Sequence, residues 1–109
     1  MLPKKYRLKH KKDIERVIKE GRYFYTPIFW FKVIKNDKNF SRLGLIVPKK
    51  SYKRAVDRNR LKRVFTSILE AKIRKIPNLD IVVYFKSQKT FPTRERLQEE
   101  ADRIIMVAH

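Results

Sequence analysis

The apolar residues near the N-terminus follow a helical spacing. Asp13 can cap a helix, and Ile14, Val17 and Ile18 then recur three and four residues apart, which puts them on one face. Gly21 suits the position that ends such a helix. A helix this short is not stable alone, so its apolar face must lie against another element of the fold.

Two strand patterns follow this helix. Residues 28–34 alternate between an apolar face and a face that carries Trp30 and Lys32, and the charge indicates that the second face is open to water. Residues 42–47 place Gly44 on one face, where the missing side chain lets another segment approach the backbone closely. The aromatic residues before position 28 also predict a short extra strand near residues 23–25.

The second half of the chain predicts two longer helices separated by a buried strand. A broad apolar stripe runs through residues 55–76, and Pro77 stops that helix. Residues 80–86 form a continuous apolar run bounded by charges, which is typical of a central strand covered on both faces. Thr93 can cap the last helix. The predicted order is therefore α-β-β-α-β-α.

This order predicts an α+β fold of the α/β sandwich type, with a small, mostly antiparallel sheet of about four strands. The two longer helices should pack on one face of the sheet. The first helix is left for the edge of the sheet or its other face, where it would form a groove with Trp30, Lys32 and Ile46. At 109 residues, the chain is expected to form a single domain over residues 1–109.

The charge of the chain points to a polyanionic partner. Lys and Arg number 29 against 11 Asp and Glu, which gives a formal net charge of +18. Such self-repulsion in a small domain favours binding to nucleic acid first and to an anionic membrane second. Residues 1–12 are densely basic and form either an extended, flexible arm or a frayed, solvated terminus.

Several kinds of site are missing from the sequence. There is no cysteine, which excludes disulfides and fits a reducing compartment, so we expect a cytoplasmic protein. No apolar run is long enough to span a membrane. The carboxylates are dispersed, and the two histidines, His10 and His109, stand far apart. We therefore expect no catalytic residue and no metal site made by the protein alone.

The densest positive charge lies at residues 48–63, where the second strand pattern leads into the central helix. Half of these residues are Lys or Arg and a single one is acidic. Arg58 lies at the edge of the apolar stripe. The side chains that project opposite to the stripe are Asn59, Arg60, Lys62 and Arg63. A cation cluster on a rigid helix is suited to binding phosphates, although a charge run can also be a solvated face.

The ordered motif of this stretch resembles the signature of the bacterial ribonuclease P protein subunit. Its core is the run Arg-Asn-Arg-Leu-Lys-Arg at residues 58–63, preceded by Arg54 and by the pair Lys49 and Lys50. The other segments that resemble the family are residues 13–21, 43–47 and 80–86. The resemblance covers residues 8–108.

The resemblance implies a sandwich with a left-handed β-α-β crossover through the basic central helix. It further implies that the protein is the small, monomeric partner of ribonuclease P RNA. That holoenzyme removes the 5′ leader of precursor tRNA by endonucleolytic hydrolysis, with magnesium ions held mainly by the RNA and none by the protein alone. The basic helix would bind the catalytic RNA, a groove between the first helix and the sheet would bind the leader, and no membrane would be involved.

When the functional positions of the family are carried over onto this sequence one by one, two sets of residues have expected roles. The residues expected to contact the catalytic RNA are Lys49, Lys50, Lys53, Arg54, Arg58, Asn59, Arg60, Lys62 and Arg63. The residues expected to line the leader groove are Ile14, Ile18, Trp30 and Lys32. Asn59 can equally make a structural hydrogen bond to the backbone, and Ile14, Ile18 and Trp30 can equally pack in the core.

The chain departs from the family at a few positions. Phe is common in the family where this chain has Ile14 and Ile18, and isoleucine cannot stack on an unpaired base as phenylalanine does. Either stacking is weaker here or Trp30 supplies it. Pro48 stands where a small polar residue is common in the family, and Ser67 where Arg or Gln is common.

Two other function classes compete with this hypothesis. A general RNA-binding module, such as a ribosomal protein or an RNA chaperone, would bind many RNAs without any effect on cleavage. A cationic membrane-surface or DNA-packaging protein would expose the apolar face of an amphipathic helix. The apolar stripes of this chain are needed to form a core, which disfavours the latter class.

Overall fold

The computed structural model describes residues 2–108. Within them, three α-helices and four β-strands make up the fold. The helices are α1 (Lys11–Glu20), α2 (Ala55–Ile73) and α3 (Arg94–Ala108), and the strands are β1 (Arg22–Tyr25), β2 (Phe29–Lys35), β3 (Arg42–Ile46) and β4 (Leu79–Phe85). A short 3-10 turn, Lys4–Tyr6, precedes α1. The predicted order is confirmed, including the extra strand before β2.

The four strands form one sheet in the order β1-β2-β4-β3. β1 pairs with β2 and β2 pairs with β4 in the antiparallel sense, whereas β3 lies parallel to β4. The sheet is therefore mostly antiparallel, as predicted. α2 forms the crossover between the parallel neighbours β3 and β4. The left-handed sense of this crossover stays a prediction.

One face of the sheet is closed by α2 and α3. Phe29 and Phe85 of the sheet meet Phe65 of α2 edge to face, with ring centroids 5.4 and 5.1 Å from that of Phe65. All three rings are fully buried, as is Leu97 of α3. Edge-to-face contacts add to the hydrophobic effect in such a cluster. This face is the main core of the protein, and it includes Phe31, as predicted.

The opposite face carries a second, smaller cluster beneath α1. Val17 of α1 and Val82 of β4 are fully buried there, and Leu8 of the N-terminal segment joins them. Two glycines permit this packing. A Cβ on Gly21 would meet the Val17 carbonyl oxygen at 2.5 Å, and one on Gly44 would meet the Leu8 carbonyl oxygen at 3.1 Å. The first helix thus occupies the other face of the sheet, one of its two predicted positions.

A polar cluster fixes the N-terminal turn of α1 to the sheet. Arg42 of β3 donates hydrogen bonds to the buried Asp80 at 2.9 and 2.7 Å and to Asp13 at 3.4 Å. The amide of Asn36 also donates to Asp80, at 2.8 Å. The hydrogen bonds from Arg42 to Asp80 raise the pKa of Arg42 above its ordinary value. The buried carboxylate is therefore matched by a permanent positive charge.

Two predicted helix boundaries are wrong. α1 begins at Lys11 rather than after a cap at Asp13, because Asp13 lies in the first turn and its side chain is directed at the sheet. α2 ends at Ile73, before the predicted Ile76. There the chain tightens into i→i+3 hydrogen bonds, and Asn78, with φ of 44°, redirects it into β4. The cap predicted for the last helix is confirmed, since Thr93 Oγ1 accepts from the Arg96 N–H at 3.1 Å.

The N-terminal segment is packed along the edge of the sheet from Leu2 onward. Leu2 and Leu8 are buried. The Leu8 N–H donates to the Leu43 carbonyl at 2.9 Å, and Arg7 forms a parallel bridge with Leu43. The arm predicted over residues 1–12 therefore ends too late, because Lys11 already belongs to α1. The first residue of the predicted arm, Met1, lies outside the described residues.

Candidate nucleic-acid interface

The N-terminal half of α2 presents a cationic face to solvent. Leu61 and Phe65 are fully buried and hold the helix on the sheet. The exposed side chains opposite to them, as predicted, are Asn59, Arg60, Lys62 and Arg63. The acid of the first turn, Asp57, lies 4.0 Å from Nε of the exposed Arg54. A rigid helix therefore holds several cations at fixed spacing.

Arg58 organises the loop before α2. Its Nη1 donates to the carbonyl oxygens of Tyr52 and Lys53, both at 2.9 Å. These bonds close the loop onto the first turn of the helix, and Lys49, Lys50 and Lys53 remain exposed around it. Arg58 thus has an internal role in addition to the RNA contact predicted for it.

The side chain of Arg60 packs against the loop that follows β4. Its guanidinium carbon lies 4.3 Å from the centroid of the Phe91 ring. Phe91 in turn meets the buried Tyr52 edge-on, with centroids 6.3 Å apart. Burial raises the pKa of the Tyr52 hydroxyl above its ordinary value, which already keeps a tyrosine neutral at physiological pH, so the ring that supports Phe91 carries no charge. A cation held over an aromatic face has less freedom than one in solvent, which fixes the direction of Arg60.

A groove runs between α2 and the N-terminal segment, along the outer edge of β3. Its volume is about 790 Å³. The floor of the groove is apolar and includes Leu2, Leu8, Leu43 and Leu45. The cations of its rim are Arg7, Lys9, Lys62 and Arg63. Because no acidic residue is among the lining residues described, the groove is a cationic site with an apolar base.

α1 covers only part of its face of the sheet, and the remainder is aromatic. Trp30 of β2 stacks on Tyr84 of β4, with centroids 4.8 Å apart and planes 7° apart. Tyr23 and Tyr25 of β1 lie on the same face, because they pair with Lys32 and Trp30. They are 56% and 70% exposed. An aromatic surface that can accept flat ligands is therefore open to solvent next to α1.

The four residues expected in the leader groove lie around this open surface. Ile14 and Ile18 are half-buried and pack against the small cluster, so they contribute to packing as well as to the surface. The Lys32 ammonium donates a hydrogen bond to the carbonyl oxygen of Ile18. Its charge also suits the C-terminal end of a helix. Lys32 therefore fastens α1 to the sheet beside Trp30.

Several residues of these surfaces escape prediction from the sequence. The prediction that β4 is covered on both faces is wrong at Tyr84, which is half-buried because α1 does not extend over it. Gly44 indicates that a segment approaches β3, but it does not reveal that this segment brings Arg7 to the rim of the groove. Phe91 gives no signal at all, since its contact with Arg60 joins two distant parts of the chain.

The described residues show neither a membrane span nor a metal cluster. No helix between positions 2 and 108 is long and apolar enough to cross a membrane. Over the same stretch, no group of three or more His, Cys, Asp or Glu side chains could hold a metal ion. His109, one of the two histidines considered above, lies outside the described residues.

The chain matches known proteins over nearly its whole length. The family model described as Ribonuclease P matches residues 2–108. The ribonuclease P protein component of Pseudoalteromonas translucida is 34% identical over 89 residues, which cover 82% of this chain and 64% of that protein. The component from Pseudanabaena sp. is 30% identical over 110 residues, which cover 99% of this chain and 95% of that protein.

Solved structures share the fold and much of the length. The RNase P protein from Staphylococcus aureus superimposes with a TM-score of 0.84 at 27% identity, over 94% of each chain. The RNase P protein from Thermotoga maritima, in complex with 1-(4-fluorophenyl)-2-thiourea, gives a TM-score of 0.78 at 28% identity, over 91% of this chain and 96% of that one. The chain therefore belongs to the family of ribonuclease P protein components, which implies a role in tRNA 5′ processing.

Proposed function

We propose that this protein holds the catalytic RNA of ribonuclease P with α2 and the 5′ leader of precursor tRNA with the open face of its sheet. The observation that carries the proposal is the presence of two different surfaces on one domain. One is a cationic helix face, which suits phosphates, and the other is an aromatic sheet face, which suits unpaired bases. Membership of the family supplies the identity of the two RNAs.

The α2 surface is proposed to contact the catalytic RNA. The residues assigned to this contact are Lys49, Lys50, Lys53, Arg54, Arg58, Asn59, Arg60, Lys62 and Arg63. All of them except the half-buried Arg58 are exposed, and they lie on α2 or on the loop that Arg58 fastens to its first turn. A folded RNA presents phosphates at fixed spacing, so a rigid helix loses little conformational entropy when it binds them.

The open sheet face is proposed to hold the leader. The residues assigned to this groove are Ile14, Ile18, Trp30 and Lys32. Trp30 supplies the aromatic face that isoleucine lacks, and its stack on Tyr84 holds the indole in place. Stacking of a base on such a side chain is worth about 1–3 kcal/mol. Removal of the leader would then remove a contact that mature tRNA cannot replace.

The role of the protein in the reaction is binding and orientation. The proposal places the magnesium ions mainly on the RNA, because the two buried carboxylates among the described residues, Asp80 and Glu100, are already paired with arginine. The protein enters the complex as a monomer in the cytoplasm. It brings the leader alongside the RNA that performs endonucleolytic hydrolysis.

A reconstitution experiment tests this proposal. The protein is mixed with a bacterial ribonuclease P RNA and a precursor tRNA at low magnesium concentration. Cleavage at the mature 5′ end should rise sharply compared with the RNA alone, and affinity for leader-bearing substrate should rise more than affinity for mature tRNA. A general RNA-binding protein would bind both RNAs and change neither the rate nor the preference, and that result would refute the proposal.

A further inference from the structure

The groove between α2 and the N-terminal segment has a feature that phosphate binding does not require. Its base is apolar and its volume, about 790 Å³, falls within the range of about 300–1,000 Å³ that is usual for small-ligand sites. A surface that binds only phosphates needs cations but has no use for a leucine-lined cleft. Its lining therefore points to a ligand with both an anionic and an apolar part.

The edge of β3 adds a hydrogen-bonding site to this cleft. The Leu43 carbonyl points away from β4, because it accepts from the Leu8 N–H. Alternate residues of a strand point their N–H and C=O groups to the same edge, so the groups of Leu45 also face outward. Within residues 2–108, the pairing with the N-terminal segment consists of the single bridge at Leu43 and does not reach Leu45. Leu45 therefore offers one donor and one acceptor at the base of the groove.

We propose that this groove binds one unpaired nucleotide of RNA. The base lies in the apolar cleft against Leu45 and forms hydrogen bonds with the N–H and C=O of that residue. Its phosphate lies at the rim between Lys62 and Arg63. Each nucleobase carries adjacent donors and acceptors on its exposed edge, which is how proteins read bases that have left a helix.

Charge disfavours a second copy of this chain as the ligand of the groove. An added peptide strand would also pair with the open edge of β3. The rim, however, carries Arg7, Lys9, Lys62 and Arg63 with no acid among the described lining residues, and the chain has a net charge of +18. A second copy of this chain would therefore be repelled, whereas a nucleotide is attracted. The inference rests on the proposed function, since α2 must face RNA for such a nucleotide to reach the groove.

The test measures backbone amide resonances of the full chain by NMR during titration with adenosine 5′-monophosphate. We expect a saturable shift of the Leu45 amide. Inorganic phosphate should shift the amides near Lys62 and Arg63 and leave Leu45 in place. If phosphate alone reproduces the shift at Leu45, the groove is an anion site and the proposal is wrong.

Two matched variants separate the groove from the helix that borders it. Ser67→Phe places an aromatic ring in the groove, because Ser67 is exposed and lines it. Ala71→Phe adds similar bulk to an exposed position one turn later on α2, outside the lining residues described. We expect Ser67→Phe to weaken nucleotide binding at least tenfold and Ala71→Phe to leave it unchanged. Equal affinities in the two variants would place the nucleotide elsewhere.

A second experiment tests whether the bound nucleotide is part of an RNA strand. A single-stranded oligonucleotide should shift the Leu45 amide as the mononucleotide does, and a blunt RNA duplex of the same length should not. If the mononucleotide binds and the single strand does not, the groove is a site for free nucleotides and the assignment to RNA fails. Failure of the proposed function looks different, because the protein would then not raise cleavage at low magnesium, whatever happens at Leu45.

Discussion

The two surfaces proposed to bind RNA are built from different side chains. The α2 surface consists of cations on the solvent-exposed side of a helix whose other side is packed in the core. The sheet surface consists of Trp30, Tyr84 and two exposed tyrosines. Cations bind phosphates with strong salt dependence and little regard to sequence, while aromatic side chains bind unpaired bases. Salt concentration and strandedness should therefore separate the two surfaces, although both belong to one small domain.

The two surfaces also differ in how they are fixed. α2 is held by fully buried side chains of the main core. The open sheet face depends on α1, whose contact with the sheet includes the small cluster at Val82, the hydrogen bond from Lys32 to Ile18 and the polar cluster at Arg42. Substitutions that break the α1 contacts should therefore perturb the leader groove more than they perturb the α2 surface.

The largest expected effect comes from breaking the polar cluster. Arg42→Met leaves the fully buried Asp80 without its cation, which costs about 3–5 kcal/mol in the free energy of unfolding. Chemical denaturation measures this loss. As a control, Lys11→Met removes an exposed ion pair with Glu15 within α1 and should change the free energy of unfolding by less than about 0.5 kcal/mol. Equal losses in the two variants would show that Asp80 does not depend on Arg42.

The double variant Lys62→Ala/Arg63→Ala should have the next largest effect. It removes two cations from the α2 surface, so affinity for the catalytic RNA should fall by about 3 kcal/mol. The slope of log affinity against log salt should flatten by about one to two units. Filter binding at several salt concentrations measures both. Lys35→Ala/Lys38→Ala removes two exposed cations from the end of β2 and the turn after it as a control, and a similar flattening there would mean that the charge of the whole chain, rather than α2, sets the slope.

Trp30→Ala probes the aromatic surface. Affinity for precursor tRNA should fall by about 1–3 kcal/mol because the stacking face is lost, while affinity for mature tRNA should hardly change. The salt slope should stay as it is, in contrast to the α2 variant. Trp30→Phe keeps an aromatic ring and should recover most of the affinity. Equal losses for precursor and mature tRNA would remove Trp30 from the leader groove.

The sequence predicts those features that depend on local pattern. The order of helices and strands follows from hydrophobic spacing, and the outward direction of Arg60, Lys62 and Arg63 follows from 100° per residue around a helix. A single charged residue, Lys32, is enough to predict which face of β2 is open to water. In each case the information lies within a few neighbouring residues.

Features that depend on register and on packing between distant segments were not predictable. The stack of Trp30 on Tyr84 exists because β2 and β4 pair in one particular register. The failed cap at Asp13 has the same origin, since its side chain is directed at Arg42 in a strand far along the chain. A single sequence shows that Asp13 can cap a helix, but it cannot show that a half-buried arginine on the sheet competes for it.

The smallest expected effect concerns the direction of Arg60. Phe91→Leu keeps an apolar side chain but removes the aromatic face that lies 4.3 Å from the guanidinium carbon. We expect affinity for the catalytic RNA to fall by about 0.5–1 kcal/mol, because an unsupported Arg60 must lose more freedom on binding. Phe91→Tyr should restore the affinity.

The same substitution in an Arg60→Ala background distinguishes positioning from simple packing. With no guanidinium to hold, Phe91→Leu should have no further effect on RNA affinity, and the two variants should be non-additive. If instead the losses add, Phe91 acts on RNA independently of Arg60, through its packing on Tyr52 or by direct contact. In that case the α2 surface would include an aromatic contact of its own, and the chemical contrast between the two RNA-binding surfaces would be smaller than their composition suggests.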